Sequence, residues 1–179
     1  MQPQEILHFW FQELTAKQHF VKDPALDAAI GARFGAAVQA AARGELFGWR
    51  TTAQGRLAEI LVLDQFSRNI YRDTPGAFAQ DAIALVLAQE LVASGQDQSL
   101  TVGERGFAYM PYMHSESPQV HQESLRLFAT PGLEGQLLYA QQHKAIIDRF
   151  GRYPHRNAIL GRPSSAEEIA FLGQPGSSF

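Results

Sequence analysis

The chain has 179 residues, 45% hydrophobic and 18% charged, with a formal net charge of −3. This length suits one helical domain, residues 1–179, whose core needs no disulfide or structural metal, and the absence of cysteine excludes thiolate metal sites and a cysteine nucleophile. The slightly acidic balance argues against nucleic acid as a partner, no stretch reads as the ~20 apolar residues of a membrane span, and Met1–Glu5 lacks the basic start of a signal peptide, so a cytoplasmic protein is expected.

The punctuation predicts eight helices, near 3–14, 24–43, 52–72, 75–94, 102–110, 118–129, 134–150 and 164–172. In the first, Ile6, Phe9, Trp10 and Leu14 recur at helical spacing and read as core. Asp23-Pro24 opens the second, a capping residue before a proline whose missing N–H has no intrahelical acceptor to lose. Its stripe is Leu26, Ile30, Phe34 and Val38, and Gly44 suits a left-handed stop. Thr74-Pro75 opens the fourth helix, with Ile83, Leu87 and Leu91 inward and Gly95 beyond its end.

Thr101-x-x-Glu104 reads as a capping box for the fifth helix, which Pro111 is expected to break or kink. Ser117-Pro118 starts the sixth, Gly151 ends the seventh, and Ser164-x-x-Glu167 reads as the capping box of the eighth. Residues 151–163 form the longest irregular stretch, of a length that in compact domains usually carries function or motion. No run of alternating β-branched residues suggests a sheet.

The third helix carries the first candidate chemistry. Val62, Leu63, Phe66 and Ile70 form one apolar face, while the other begins with Leu57, Ile60 and Leu61 and continues as Asp64, Arg68 and Arg72. A helix apolar on both sides is buried, so this charged ladder emerges from the interior. Asp64 and Arg68, four apart, can pair directly; Arg72 needs a partner from elsewhere. Two readings stay open: an ion pair locking helices together, or an anion site.

A second cluster follows Phe107–Met113, where His114 and Glu116 form a His-x-Glu pair able to serve acid/base chemistry or merely a turn. His121, seven residues on, matches no compact ligand spacing, and no metal site or cofactor is expected. His143 lies on an apolar face with Tyr139, Ile146, Ile147 and Phe150. Around Gly151, Arg149, Arg152 and Arg156 with His155 make the densest positive run in the chain, with Asn157 beside them, suited to a carboxylate or phosphate. The chain has no G-x-S-x-G elbow, Walker loop or dinucleotide fingerprint.

These segments together resemble a known bacterial family, the domain-of-unknown-function family 924. The likeness runs through Ile6-Leu7-His8-Phe9-Trp10-Phe11, the stretch 63–72 (LDQFSRNIYR), Phe78-Ala79-Gln80-Asp81, the stretch 109–116 (YMPYMHSE), His143, the stretch 149–162 (RFGRYPHRNAILGR) and Pro175-Gly176-Ser177-Ser178-Phe179. The chain departs from the family pattern around Val120 and His121. The resemblance implies an all-α, tetratricopeptide-like α-α superhelix, and brings no established reaction or cofactor.

Two functions from different classes follow. In one, Asp64, Arg68, Arg72, His114, Glu116, His143, Arg149, Arg152, Arg156 and Asn157 line an inner pocket for a small anionic molecule, with His114, Glu116 or His155 as acid/base. In the other, the chain is a scaffold for a protein or peptide partner, and its polar residues only hold helices together.

Overall fold

Residue capping and apolar spacing translate into eight α-helices and no strand among residues 1–178, which the computed structural model describes. Phe179, the last residue of the C-terminal motif, lies outside the described residues. Helix α1 (Pro3–His8) has proline in its first turn and a capping box between Gln2 and Glu5, and continues into a π-helical turn over Phe9–Glu13. In α2 (Pro24–Ala42), Oδ1 of Asp23 accepts the N–H of Ala25 at 2.9 Å and of Leu26 at 3.2 Å. This satisfies donors that the helix start would otherwise orphan.

Helix α3 is the axis of the fold. It runs over Ala53–Leu61, passes through a second π turn at Val62–Phe66 and ends over Ser67–Ile70. It packs against α1, α2, α4 (Asp81–Ala93) and α5 (Val102–His114). Both apolar faces are consumed: Leu57, Ile60, Leu61, Val62, Leu63 and Phe66 are all at most 1% exposed. Backbone approach is tightest at Gly55, where an added Cβ would lie 2.0 Å from the carbonyl oxygen of Trp49.

Helix α4 starts later than Thr74-Pro75 predicts. Pro75–Ala77 is a single 3-10 turn, and the helix restarts at Asp81. At Gly76 the backbone passes so close to Tyr71 that a Cβ would meet its ring at 3.0 Å. The segment Pro75–Ala93 also corrects an expectation about membranes. By length and mean hydropathy, 1.3 over its best 18-residue window, it is long and apolar enough to cross one. Here it breaks at residues 78–80, and its Ala84, Leu87, Ala88 and Leu91 are buried in the helical core.

Pro111 does not break α5, which extends to His114. Proline inside a helix costs about 3 kcal/mol. Residues 106–113 are all buried, so packing on every side outweighs that cost. Helices α6 (Pro118–Phe128) and α7 (Glu134–Phe150) follow, each packed on its predecessor.

Gly151, in the left-handed region at φ 67°, stops α7. A 3-10 turn at Pro154–Arg156 then leads to α8 (Ala166–Leu172). The capping box of α8 is one residue later than predicted, Ser165 with Glu168, because Ser164 instead accepts a hydrogen bond from the amide of Asn157 at 3.0 Å. A small apolar cluster, Ile146, Ile147 and Tyr153 with Phe150 and Phe171, lies beside this segment, apart from the main core.

Candidate functional site

Asp64 sits inside the π turn of α3 and is fully buried. Such turns widen a helix locally and recur at functional positions. Its carboxylate accepts Nδ1–H of His114 at 2.7 Å and Nε2–H of Gln65 at 2.5 Å, and pairs with Arg68 at 3.1 Å. Burial by itself would raise the Asp64 carboxyl, but Arg68, His114 and these hydrogen bonds hold it well below the usual carboxylate range. His114, last residue of α5, is pushed below the usual histidine range by burial and by the charge of Arg68, against the pull of Asp64. The ring is therefore neutral near pH 7, with Nδ1 carrying the proton. Nε2 is then the ring's basic nitrogen, with no hydrogen-bond partner among the described residues.

Asp81 at the start of α4 completes the arrangement. Arg68 grips it with both terminal nitrogens, at 2.8 and 2.9 Å, and Arg156 reaches the same carboxylate at 3.1 Å. Arg156 also donates to the backbone oxygen of His114 at 3.0 Å. Its guanidinium is sandwiched between the rings of Phe78 and Tyr153, 4.5 and 4.6 Å from their centroids. The 151–163 segment thus folds back onto the α3 ladder and the end of α5. Two buried atoms here have no hydrogen-bond partner, Nε of Arg156 and Nδ1 of His155. The cluster reaches solvent along the edges of Arg68, Asp81 and His114, whose side chains are 20%, 19% and 15% exposed.

Tyr153 is the other centre of this region. It is fully buried, and its hydroxyl donates to the backbone oxygen of Met113 at 2.5 Å. The rings of His155, His143 and His121 lie 5.5, 5.7 and 6.3 Å from its own. Burial depresses all three histidines, His143 to about 3 and His155 to about 4, so they are neutral. His143 donates from Nδ1 to the backbone oxygen of Tyr139, and its ring stands 6.5 Å from that of His114.

Other expected residues lie elsewhere or are committed. Arg72 does not extend the Asp64 ladder; it pairs with Asp27 of α2 through two hydrogen bonds at 2.6 and 2.8 Å. Arg149 lies on the surface against Glu167, and Arg152 clamps Glu168 and the backbone of Pro163. Both pair with glutamates of α8 and not with the Asp64–His114 dyad. Glu116 is held by both terminal nitrogens of Arg162 and by the N–H of Tyr153, so it anchors the C-terminal segment and presents no free oxygen to the dyad. Asn157, fully buried, donates to Ser164 and accepts from Arg162.

Two surface clefts lie away from the cluster. One, of about 600 Å³, is lined by Gln89, Tyr112, Gln119 and Glu123 among others; the second, of about 410 Å³, lies between Arg149, Arg152 and Glu168. Among the described residues, no three histidine or carboxylate side chains are grouped to hold a metal ion.

Sequence reasoning did not single out Asp81 or Tyr153 as site residues. A charge count held the signal for Asp81: Arg68, Arg72 and Arg156 need more carboxylate than Asp64 supplies, and Asp27 and Asp81, both in the first turns of helices, are where it comes from.

No curated protein matches the chain. The solved structure of ATU0120, a protein of unknown function from Agrobacterium tumefaciens, is similar to it with a TM-score of 0.91 at 38% identity, covering 96% of each chain. The family model described as bacterial protein of unknown function (DUF924) matches residues 6–176, and the chain belongs to that family.

Proposed function

We propose that the chain binds a small anionic molecule beside Arg156, with the Asp64–His114 dyad as its acid/base group. The observation that carries this reading is a set of committed and uncommitted nitrogens. His114 is oriented by a buried carboxylate through Nδ1, which leaves Nε2 as the base. Next to it Arg156, 6% exposed, keeps a buried Nε without an acceptor, and His155 keeps a buried Nδ1 without a partner. Buried polar groups are almost always satisfied, so a pair of orphans beside a poised base marks the place where a ligand's oxygens fit. A histidine held in one tautomer by a carboxylate is the arrangement that extracts a proton from water or substrate.

Thermal shift tests the reading. The melting temperature of the full chain should rise with the concentration of acetate, sulfate or inorganic phosphate, and Arg156→Gln should abolish that rise. A wild-type melting temperature indifferent to all three anions sinks the proposal.

A second reading, the tetratricopeptide-like interaction scaffold, has one observation in its favour. Leu138 and Tyr139 are adjacent on α7 and each 55% exposed, an apolar pair of the kind a peptide partner covers. Leu138→Glu with Tyr139→Glu would remove a partner on this surface while leaving anion binding intact.

A further inference from the structure

The charges of the cluster say which anions it takes. Asp64 and Asp81 carry two negative charges, and Arg68 and Arg156 carry two positive ones, bound to each other as described above. Glu116 is matched by Arg162. The resident cations are therefore already neutralised, and the cationic capacity left for a ligand is one proton on Nε2 of His114.

We infer that the site selects monoanions of the carboxylate class over dianions such as sulfate or doubly ionised phosphate, and that binding is accompanied by uptake of one proton at His114. This rests on the anion-binding reading and deepens it. A carboxylate brings one charge, which a protonated His114 balances. A dianion leaves one negative charge uncompensated in a largely buried site, where unpaired charge is strongly disfavoured. Geometry points the same way: the rings of Phe78 and Tyr153 lie 4.5 and 4.6 Å from the Arg156 guanidinium, its terminal nitrogens are engaged by Asp81 and the His114 carbonyl, and the edge at the buried Nε is what remains for a ligand. A planar carboxylate can lie along that edge and accept from Nε.

The groups facing His114 come from five parts of the chain. Asp64 and Arg68 belong to α3, and Asp81 to α4. His121 stands on α6 and His143 on α7, while His155 and Arg156 come from the segment after α7. Of these rings, that of His114 is the one hydrogen-bonded to a carboxylate, Asp64, so the proton that accompanies a ligand's negative charge is taken up there.

Isothermal titration of the full chain with sodium butyrate and with sodium sulfate, at fixed ionic strength and pH 7 in two buffers of different ionisation enthalpy, decides the matter. Butyrate should bind at least about tenfold more tightly than sulfate, a difference of about 1.4 kcal/mol, with close to one proton taken up. Asp81→Asn should add a net positive charge and raise sulfate affinity at least about tenfold, while the wild-type comparison stands even if that variant folds poorly. Sulfate binding as tightly as butyrate, in a manner lost in Arg156→Gln, overturns the charge selection and leaves the anion site standing. Butyrate binding without proton uptake also overturns it. Binding of neither anion overturns the anion-site reading itself.

Discussion

Arg68 and Arg156 donate to the same oxygen, Oδ2 of Asp81, at 2.9 and 3.1 Å. Helix α3 supplies one guanidinium and the loop after α7 the other, so a single carboxylate at the start of α4 ties three distant parts of the chain. Two cations on one carboxylate leave a net positive pair, which Asp64, paired with the same terminal nitrogen of Arg68 as Asp81, brings back to neutrality. Stability and the proposed chemistry therefore depend on the same four side chains.

Removing Asp64 should be costly. Asp64→Ala deletes a fully buried carboxylate and leaves Arg68, 20% exposed, with Asp81 as its remaining carboxylate, whose Oδ2 is already shared with Arg156. Breaking one partner out of a buried pair costs about 3–5 kcal/mol. Denaturant melts at neutral pH measure it, and a loss under about 1 kcal/mol would place the pair among weak, solvated ones.

Much of this was legible in the sequence. The two-sided apolar pattern of α3 required its charged ladder to be buried, and the i, i+4 spacing of Asp64 and Arg68 put them in reach. Concentration of Arg and His beside Ala158–Leu160 required the 151–163 segment to pack down. What local spacing cannot carry is which partner comes from elsewhere: Arg72 found Asp27 and Arg68 found Asp81, choices made by the packing of α2 and α4 against α3. Pro111 misled because its backbone penalty is visible in the sequence while the burial of Phe107–Met113 that offsets it is a property of the fold. The π turns left no mark at all, since the side chains of residues 62–66 read as ordinary helix.

Acid should destabilise the protein early. His143 and His155 are neutral in the fold down to about 3 and about 4, while unfolded histidine charges near 6.5. Below pH 6.5 the unfolded chain therefore binds more protons, and stability is lost progressively as pH falls toward those lower values. For His143, only 7% exposed, the loss from pH 7 to 5 is about 2 kcal/mol. Asp64, held low, adds a further loss only in stronger acid. Chemical denaturation at pH 7 and 5 checks this, and His143→Gln should flatten the dependence. A wild-type curve already flat across that interval contradicts it.

Gly55 should tolerate no side chain. In an exposed helix interior, Gly→Ala is stabilising by about 0.5–1 kcal/mol. Here the new methyl would sit 2.0 Å from the Trp49 carbonyl carbon's oxygen, a backbone atom with no rotamer to escape through. The 3-10 turn at Phe47–Thr51 must then move away from α3. Gly55→Ala is expected to lower stability by about 2–3 kcal/mol, in the range of overpacking, and a melting temperature at or above wild type would show that the turn shifts freely.

Glu116 is the anchor whose loss should free the C-terminal segment alone. It lies in the short link between α5 and α6, and its two oxygens accept from Arg162 at 2.6 and 2.9 Å and from the N–H of Tyr153 at 2.7 Å. Without it, Arg162 keeps only Asn157 Oδ1 and the Tyr153 carbonyl, at 3.0 and 3.2 Å. Charge-assisted hydrogen bonds are worth about 1.5–3 kcal/mol, and both side chains are about three-quarters buried, so Glu116→Ala should cost about 2–3 kcal/mol. The cost should be local. The side-chain hydrogen bonds of Glu116 run to Tyr153 and Arg162 in the segment after α7, so Tyr153, Asn157 and the start of α8 depend on the clamp. Hydrogen exchange should therefore show protection lost over residues 153–172 and kept in α1 to α3. Uniform loss across all helices would mean that the C-terminal segment unfolds only with the whole molecule, and that Arg152 with Glu168 suffices to hold it.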